Sequence, residues 1–415
     1  MRRRDFLKAG LVGTASLLGA GALGPGEGGA APAAKRLTKP IRIGGQAVMS
    51  GPLGGYGQFM RMGAQLAVEE INRAGGILGA KIEIEFRDEE LKPDVAVRNA
   101  RYFVDVWKAD FLIGIDSSSV ALAVGAIMPQ LDRVLVVTHA ATEKLNEQLV
   151  FKQGIRQVFR ISVPVYQDGI LSAMIARDFP VRTWATISPD YEYGHTSWKM
   201  FRETLKRFRP DVEFVAESFA KFGTVDFGPH ISKVMAVRPE AIFSTEWGGE
   251  AVALVKQAKL FGVFQNTKAW MCGMGAAMDV LEGLGKDYPE GAWVSCRYWF
   301  QYPNTAENRR FVSRFRERWQ KYPHYVSETS YSAVYALKGA VEKSGSIETA
   351  AVAKALEGMT LTTPAGKRHI RAEDHQAVYE VPWGRITHDR NYPFPILTDL
   401  RVVPADQYYR HPPFA

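Results

Sequence analysis

Residues 111–142 constrain the fold of this chain more than any other stretch. The run FLIGI (111–115) is short and continuously apolar, which is typical of a strand buried on both faces of a parallel sheet. A second run, VLVVT (134–138), has the same character, and the segment between them, VALAVGAIM, suits a helix. This order predicts a strand–helix–strand unit of an α/β sheet.

A polar loop follows each of these two strands, DSSS at 116–119 and HAAT at 139–142. Loops at the carboxyl ends of neighbouring parallel strands form the crevice in which open α/β sheets bind ligands. We expect each loop to open a helix, and free backbone N–H groups at a helix start suit an anion such as a carboxylate. The sequence therefore predicts the ligand pocket at these two loops.

The same alternation of strands and helices occurs twice along the chain. The first series begins with a strand at 41–48, a glycine-rich loop at 49–57 and a helix at 58–74. The second begins near Trp184 and continues through strand candidates at 241–245, 268–272 and 292–296. Because 415 residues exceed one ordinary core, we expect two α/β lobes of similar plan, each with a parallel sheet.

The first 34 residues resemble an export signal rather than part of the fold. Three arginines at 2–4 precede an apolar run from Ala9 to Leu23 and a small-residue zone that ends near Ala34. The sequence RRDFLK looks like a twin-arginine signal, with an uncleaved anchor as the alternative. We expect residues 1–34 to be removed and the mature protein to be free in a bacterial periplasm.

Charge and cysteine content exclude several other classes. The net charge of +8 is modest, and no basic tract interleaved with aromatics indicates nucleic-acid binding. The eight histidines show no metal-binding spacing, so we predict no metal and no cofactor. Cys272 and Cys296 lie in two predicted strands and either form a disulfide or remain two buried thiols.

These segments together resemble a known family, the periplasmic solute-binding proteins of ABC transporters in the Leu/Ile/Val-binding class. The resemblance is carried by MSGPLGGYG, AVEEINRAGGILG, the DSSS loop, VVTHAAT, YEYG (191–194) and EWGGE (246–250). It implies a type I periplasmic-binding fold of two Rossmann-like lobes joined by three crossovers near 160–168, 297–303 and 360–364. Lobe 1 would comprise 41–160 plus 303–360, and lobe 2 would comprise 165–297 plus 364–415.

The resemblance also implies a set of ligand-binding residues. The family's carboxylate-binding positions fall on Ser118 or Ser117, Ala140 and Thr142. Aromatic side chains that pack on the ligand fall on Tyr56 in lobe 1 and on Tyr193 and Trp247 in lobe 2. Each of these residues also has a purely structural explanation, as a helix cap or as core packing. Four further residues are cleft candidates: Asp116, His139, Glu246 and Met271.

The sequence departs from the family pattern at one point. Amino-acid binders of this class hold the ligand ammonium with an acidic residue after a late strand of lobe 2, but residues 270–277 read WMCGMGAA. A buried ammonium without a partner would cost on the order of several kcal/mol. We therefore expect an aromatic or branched carboxylate, with a branched-chain amino acid as the close competitor if Glu246, Asp116 or Glu192 reaches the ammonium.

The predicted function is that of the substrate-binding component of an ABC importer, acting as a monomer with membrane permease and ATPase subunits. A ligand sensor on the same fold is the first alternative. A periplasmic enzyme is less compatible with the sequence, because it contains no G-x-S-x-G elbow and no complete P-loop or dinucleotide motif.

Overall fold

The computed structural model describes residues 36–51 and 53–414. The predicted export signal at 1–34 lies outside these residues. None of the helices formed by the described residues combines the length and apolar character needed to cross a membrane.

The first sheet has five parallel strands in the order β2-β1-β3-β4-β5. The chain forms them with intervening helices in this sequence: β1 Ile41–Ala47, α1 Gly54–Arg73, β2 Ile82–Asp88, α2 Pro93–Arg101, β3 Phe111–Gly114, α3 Ser118–Leu131, β4 Val134–Val137, a π-helix Leu145–Lys152 and β5 Val158–Arg160. β3 and β4 are neighbours and are buried along their whole length, as their apolar sequences predict.

The second sheet has seven strands in the order β15-β14-β10-β9-β8-β6-β7. Its first series is α4 Val165–Ala176, β6 Thr183–Pro189, α5 Glu192–Phe208, β7 Glu213–Ala220, α6 Gly228–Met235, β8 Ala241–Ser244, α7 Gly248–Leu260, α8 Val263–Asn266, β9 Ala269–Cys272, α9 Met278–Leu284 and β10 Trp293–Ser295. These five strands run parallel. Two antiparallel strands near the end of the chain, β14 and β15, extend the sheet.

The remaining segments return first to one sheet and then to the other. They are α10 Ala306–Trp319, α11 Tyr325–Ser344, α12 Thr349–Leu356, β11 Thr360–Thr363, β12 Gly366–Ile370, β13 Ala377–Val378, β14 Trp383–Thr387 and β15 Ile396–Arg401. α11 packs on α1 beside the first sheet. Strands β11–β13 form a small antiparallel sheet before the chain joins the second sheet. The two-lobe α/β fold is confirmed, while the lobe boundaries given above stay a prediction.

The packing of α1 against α11 depends on a glycine. A Cβ atom built on Gly63 would lie 2.0 Å from the carbonyl oxygen of Ser327, so only glycine permits this close approach. By contrast, a Cβ atom on Gly55, in the first turn of the same helix, meets no other atom within 4 Å.

Two predicted boundaries near the pocket were wrong. α1 begins at Gly54 rather than at residue 58, because glycines let its first turn lie against the backbone of the loop after β1. A Cβ atom on Gly57 would lie 2.1 Å from the carbonyl oxygen of Val48. Residues 139–142 do not start a helix. They remain an extended loop, and the π-helix begins only at Leu145.

Candidate ligand-binding cleft

A cleft of about 450 Å³ lies between the two sheets at the carboxyl ends of their parallel strands. Its lining comes from the loops after β2, β3, β4, β6, β7, β8, β9 and β10, together with parts of α3, α5 and α11. The lining residues are Leu91, Asp116, Ser117, Ser118, Ser119, His139, Ala141, Tyr191, Glu192, Tyr193, Phe222, Trp247, Met274, Arg297 and Tyr325. The volume is within the range typical of small-molecule sites.

The serine loop after β3 presents a helix start to the cleft. Ser117 caps α3, since its hydroxyl accepts a hydrogen bond from the backbone N–H of Val120 at 3.4 Å. The strand leads into this loop through Ile115, whose φ of 76° is unusual for a β-branched residue. Strained backbone of this kind persists where the surrounding structure holds it, and it is often found at binding sites.

A chain of hydrogen bonds forms one wall of the cleft. The Asp116 carboxylate is 2.7 Å from Nδ1 of His139, and Nε2 of His139 is 2.8 Å from the Tyr325 hydroxyl. The other oxygen of Asp116 accepts the backbone N–H of Val48 at 2.6 Å. Burial lowers the pKa of His139 below its ordinary value of 6.5, although the Asp116 hydrogen bond acts in the opposite direction. The imidazole is therefore neutral at pH 7.

Arg297 is the buried cation of the cleft, with 4% of its side chain exposed. It follows β10 and donates to Asp168 of α4 at 3.0 Å and to the carbonyl oxygen of His139 at 3.1 Å. Burial acts to lower the pKa of the guanidinium, but the Asp168 carboxylate raises it above the ordinary value, so the group stays charged. The Nε atom has no hydrogen-bond partner among the described residues.

Aromatic rings form much of the remaining wall. The indole N–H of Trp247 donates to the Tyr191 hydroxyl at 2.9 Å. The ring of Tyr193 lies 5.8 Å from the Arg297 guanidinium carbon. Phe222 is half-exposed and lies 6.4 Å, ring centre to ring centre, from Trp247. Such walls favour a flat or apolar ligand body.

Besides the hydrogen bond from Arg297 to the carbonyl oxygen of His139, further contacts join the two lobes at the cleft. Thr142, after β4, donates its hydroxyl to Glu192 at the start of α5 at 3.0 Å, and Lys144 lies 3.4 Å from the same carboxylate. On the other side, the edge of Tyr56 in α1 meets Trp247 with ring centres 5.0 Å apart. These contacts join elements of different sheets and partly enclose the cleft.

The structure brings six of the predicted site residues into the lining: Asp116, Ser117, Ser118, His139, Tyr193 and Trp247. Two others support it from behind. Tyr56 stacks on His139 with ring centres 5.5 Å apart, and the N–H of Ala140 donates to the carbonyl oxygen of Ile115 at 3.0 Å. The binding roles of all eight residues stay predictions.

Three further candidates do not line the cleft. Thr142 uses its hydroxyl for the contact between lobes. Met271 lies within β9, and the methionine that reaches the cleft is Met274, in the loop beyond that strand. Glu246 is buried, and neither carboxyl oxygen has a hydrogen-bond partner among the described residues. Burial, with the nearby Glu250, raises the pKa of Glu246 well above its ordinary value, which favours the neutral form.

Sequence reasoning missed two cleft residues with clear roles in its geometry, Arg297 and Tyr325. Arg297 stands directly after an apolar strand candidate, and a lone arginine at the carboxyl end of a buried strand was a signal that could have found it. Tyr325 begins α11, about 180 residues away from His139 in sequence. Nothing local marked it, because the hydrogen bond to His139 exists only in the folded chain.

Both cysteines are buried free thiols in the structure, and no disulfide joins them. Their strands are neighbours, as expected, but Cys272 pairs in register with Val294. Cys296 is two residues beyond Val294. The two cysteines are therefore offset by roughly 6–7 Å along the strands, in addition to the distance between the two strands. That separation exceeds the reach of a disulfide.

The comparisons with known proteins agree with this geometry. A family model described as periplasmic binding protein matches residues 40–391. The chain belongs to this family. It is a type I periplasmic binding protein of the branched-chain amino acid class, and the family implies a periplasmic location.

Individual relatives of this periplasmic binding protein differ in what they bind. It is 25% identical over 327 residues to the leucine-, isoleucine-, valine-, threonine- and alanine-binding protein of Pseudomonas aeruginosa, covering 79% of this chain and 84% of the relative. Its fold is similar to that of an ABC transporter solute-binding protein from Rhodopseudomonas palustris in complex with 3,4-dihydroxybenzoic acid, with a TM-score of 0.79, 20% identity and coverage of 88% and 98%. It is also similar to a branched-chain amino acid transporter substrate-binding protein from Streptococcus pneumoniae in complex with isoleucine, with a TM-score of 0.76, 21% identity and coverage of 88% and 99%.

Proposed function

We propose that this periplasmic binding protein is the solute-capturing component of an ABC importer and that its solute is a small aromatic or branched carboxylate. The observation that carries the proposal is a single cleft that combines the buried cation Arg297 with walls of aromatic rings. Relatives that bind amino acids and similar folds that hold aromatic acids support the class of ligand.

Two groups are suited to anchor the carboxylate. The start of α3 offers backbone N–H groups and the hydroxyls of Ser118 and Ser119, at the end of a helix where anions are favoured. Arg297 adds a positive charge from the opposite lobe. Hydrogen bonds that involve a charged group contribute about 1.5–3 kcal/mol each, so this pair of anchors favours an anionic ligand.

The acidic residues near the cleft are poorly suited to hold an α-ammonium. Both oxygens of Asp116 already accept hydrogen bonds, from Val48 and His139. Glu192 is engaged by Thr142 and lies close to Lys144. Glu246 does not line the cleft, and its burial favours the neutral form. We therefore favour a ligand without an amino group, and a branched-chain amino acid remains the competing ligand through Glu192.

The mechanism requires binding and closure but no covalent chemistry. We propose that the solute first binds the loops of lobe 1 and that closure then brings Tyr193 and Trp247 over it. The solute shifts a pre-existing equilibrium toward the closed form because it contacts both lobes only there. The closed protein, acting as a monomer after export by the twin-arginine route, would then deliver the solute to a membrane permease.

A thermal-shift screen of the protein from residue 34 onward tests the proposal. The panel contains benzoate, 4-hydroxybenzoate, phenylacetate, leucine, isoleucine and valine, because a ligand that binds only the folded state raises the Tm. We expect shifts with the aromatic acids and none with the amino acids. Shifts with leucine or valine alone would establish the competing ligand, and no shift with any compound would refute solute capture of this class.

A pair of variants connects a hit to the cleft. Trp247→Ala removes a ring from the wall and should raise the Kd of the hit roughly 10- to 100-fold, as expected when a buried aromatic contact is lost. Phe261→Ala removes a half-exposed ring outside the cleft lining and serves as the control. Equal Kd values for the two variants in isothermal titration calorimetry would show that the hit binds elsewhere.

A further inference from the structure

A second cavity lies in lobe 2 at the end of the sheet opposite the cleft. This distal pocket has a volume of about 350 Å³ and is lined by residues that include Phe179, Trp270, Trp293, Arg385 and Arg401. Trp270 and Trp293 stand at or near the beginning of β9 and β10, whereas Met274 and Arg297 of the cleft follow the ends of the same strands. The two cavities are therefore separate.

Flat aromatic surfaces and cations alternate in this pocket. The Arg401 guanidinium carbon lies 4.5 Å from the centre of the Trp293 ring and 5.9 Å from that of Phe179. The rings of Phe179 and Trp293 are 5.4 Å apart. The lining contains three cationic side chains, from Lys268, Arg385 and Arg401, and two acidic ones, from Asp178 and Glu290. Lys268 pairs with Glu240 and Arg385 lies 3.2 Å from Asp399, whereas Arg401 is 3.6 Å from Asp178. Arg401 is therefore the cation of this pocket that is most available to an anion.

Two buried donors in the pocket wall lack an acceptor. The indole N–H of Trp270, a residue that is only 3% exposed, has no hydrogen-bond partner among the described residues. Nη1 of Arg401 also has no hydrogen-bond partner among the described residues, although this side chain is 40% exposed; the Asp178 carboxylate is 3.6 Å away, beyond hydrogen-bond distance. A buried donor without an acceptor is unfavourable, so a molecule that supplies acceptors would be stabilised here.

We propose that the distal pocket is a second small-molecule site, which takes a flat aromatic compound carrying a carboxylate. The ring would pack among Phe179, Trp293 and the Arg401 guanidinium, and the carboxylate would accept hydrogen bonds from Trp270 and Arg401. This site does not depend on the solute bound in the cleft, because it shares no lining residue with the cleft.

Fluorine NMR of the protein labelled with 5-fluorotryptophan tests this site directly. The chain has nine tryptophans, and single Trp→Phe variants assign the signals of Trp270, Trp293 and Trp247. With 2-naphthoate as the probe, we expect the Trp270 and Trp293 signals to shift with one common Kd. That Kd should be unchanged in the Trp247→Phe variant, which alters the cleft alone.

Arg401→Gln should raise the Kd measured at Trp293 about tenfold, because it removes a charged donor. Arg390→Gln changes an exposed arginine outside the pocket lining and should leave the Kd unchanged. The proposal is overturned if 2-naphthoate moves only the Trp247 signal, or if neither pocket signal moves at millimolar probe. It is also overturned if the two signals move with protein concentration alone, since a second copy of the chain would then cover the pocket. Failure of the thermal-shift screen would leave this result unaffected.

Discussion

The ion pair between Arg297 and Asp168 gives the sharpest prediction about stability. Both side chains are at least 94% buried, and their charged atoms are 3.0 Å apart. Replacing Arg297 by Met removes the partner of Asp168 and also a donor to the carbonyl oxygen of His139. Because breaking a buried pair leaves one uncompensated charge, we expect the free energy of unfolding to fall by about 3–5 kcal/mol.

Urea-induced unfolding followed by far-UV circular dichroism measures this loss. Arg98→Met is the matched control, since Arg98 and Asp94 form a still shorter pair, at 2.7 Å, on the exposed surface of α2. That control should leave the unfolding curve unchanged, because exposed pairs contribute little. The double variant Arg297→Met/Asp168→Asn should recover part of the loss, as it no longer buries a lone charge. A single-variant loss below about 1 kcal/mol, the value of an exposed pair, would refute the reasoning.

Three further predictions concern other parts of the protein. Gly63→Ala should lower the free energy of unfolding by roughly 2–4 kcal/mol, because its Cβ atom clashes with the backbone of α11. Gly55→Ala should raise the free energy of unfolding by up to about 1 kcal/mol. Chemical denaturation of the two variants measures both changes. Burial lowers the pKa of His139 in the folded state, so near and below pH 6.5 this residue binds more protons in the unfolded state than in the folded state. The free energy of unfolding should therefore fall as the pH decreases. In denaturation curves measured at several pH values, His139→Gln should reduce this slope and His411→Gln should not. Tyr193→Phe should leave the Tm unchanged or slightly higher in calorimetry, because the buried hydroxyl it removes has no hydrogen-bond partner in the described part of the chain.

The sequence was sufficient to predict the fold because its signals are local and repeated. FLIGI and VLVVT are apolar throughout, and the structure buries β3 and β4 completely. The serine loop was predictable for the same reason, since Ser117 caps the helix that follows it directly. These elements depend on contacts between residues close in sequence, which a pattern along the chain can express.

The rest of the site depends on contacts between distant segments, which no local pattern carries. Arg297 contacts Asp168 and the loop after β4 only because the fold brings those elements together. The start of α1 was misjudged for a related reason. Its glycines were interpreted as a loop, whereas they allow the helix to approach the backbone that follows β1. Composition alone does not distinguish a glycine that frees a loop from one that permits close packing.

The contacts between the lobes suggest how solute binding would control closure. The hydrogen bond from Thr142 to Glu192 and the nearby Lys144 are only partly buried, so each contributes little on its own. We therefore expect the polar contacts at the edge of the cleft to add little to the stability of the closed form. A solute that contacts Arg297 and the α3 helix start at the same time adds binding free energy only in the closed form. Its differential affinity then sets the closed population, and a shift from 1:99 to 99:1 requires about 5.5 kcal/mol. Two charge-assisted hydrogen bonds and one aromatic wall are together of that size, so the proposed carboxylate would supply enough binding free energy to close the cleft.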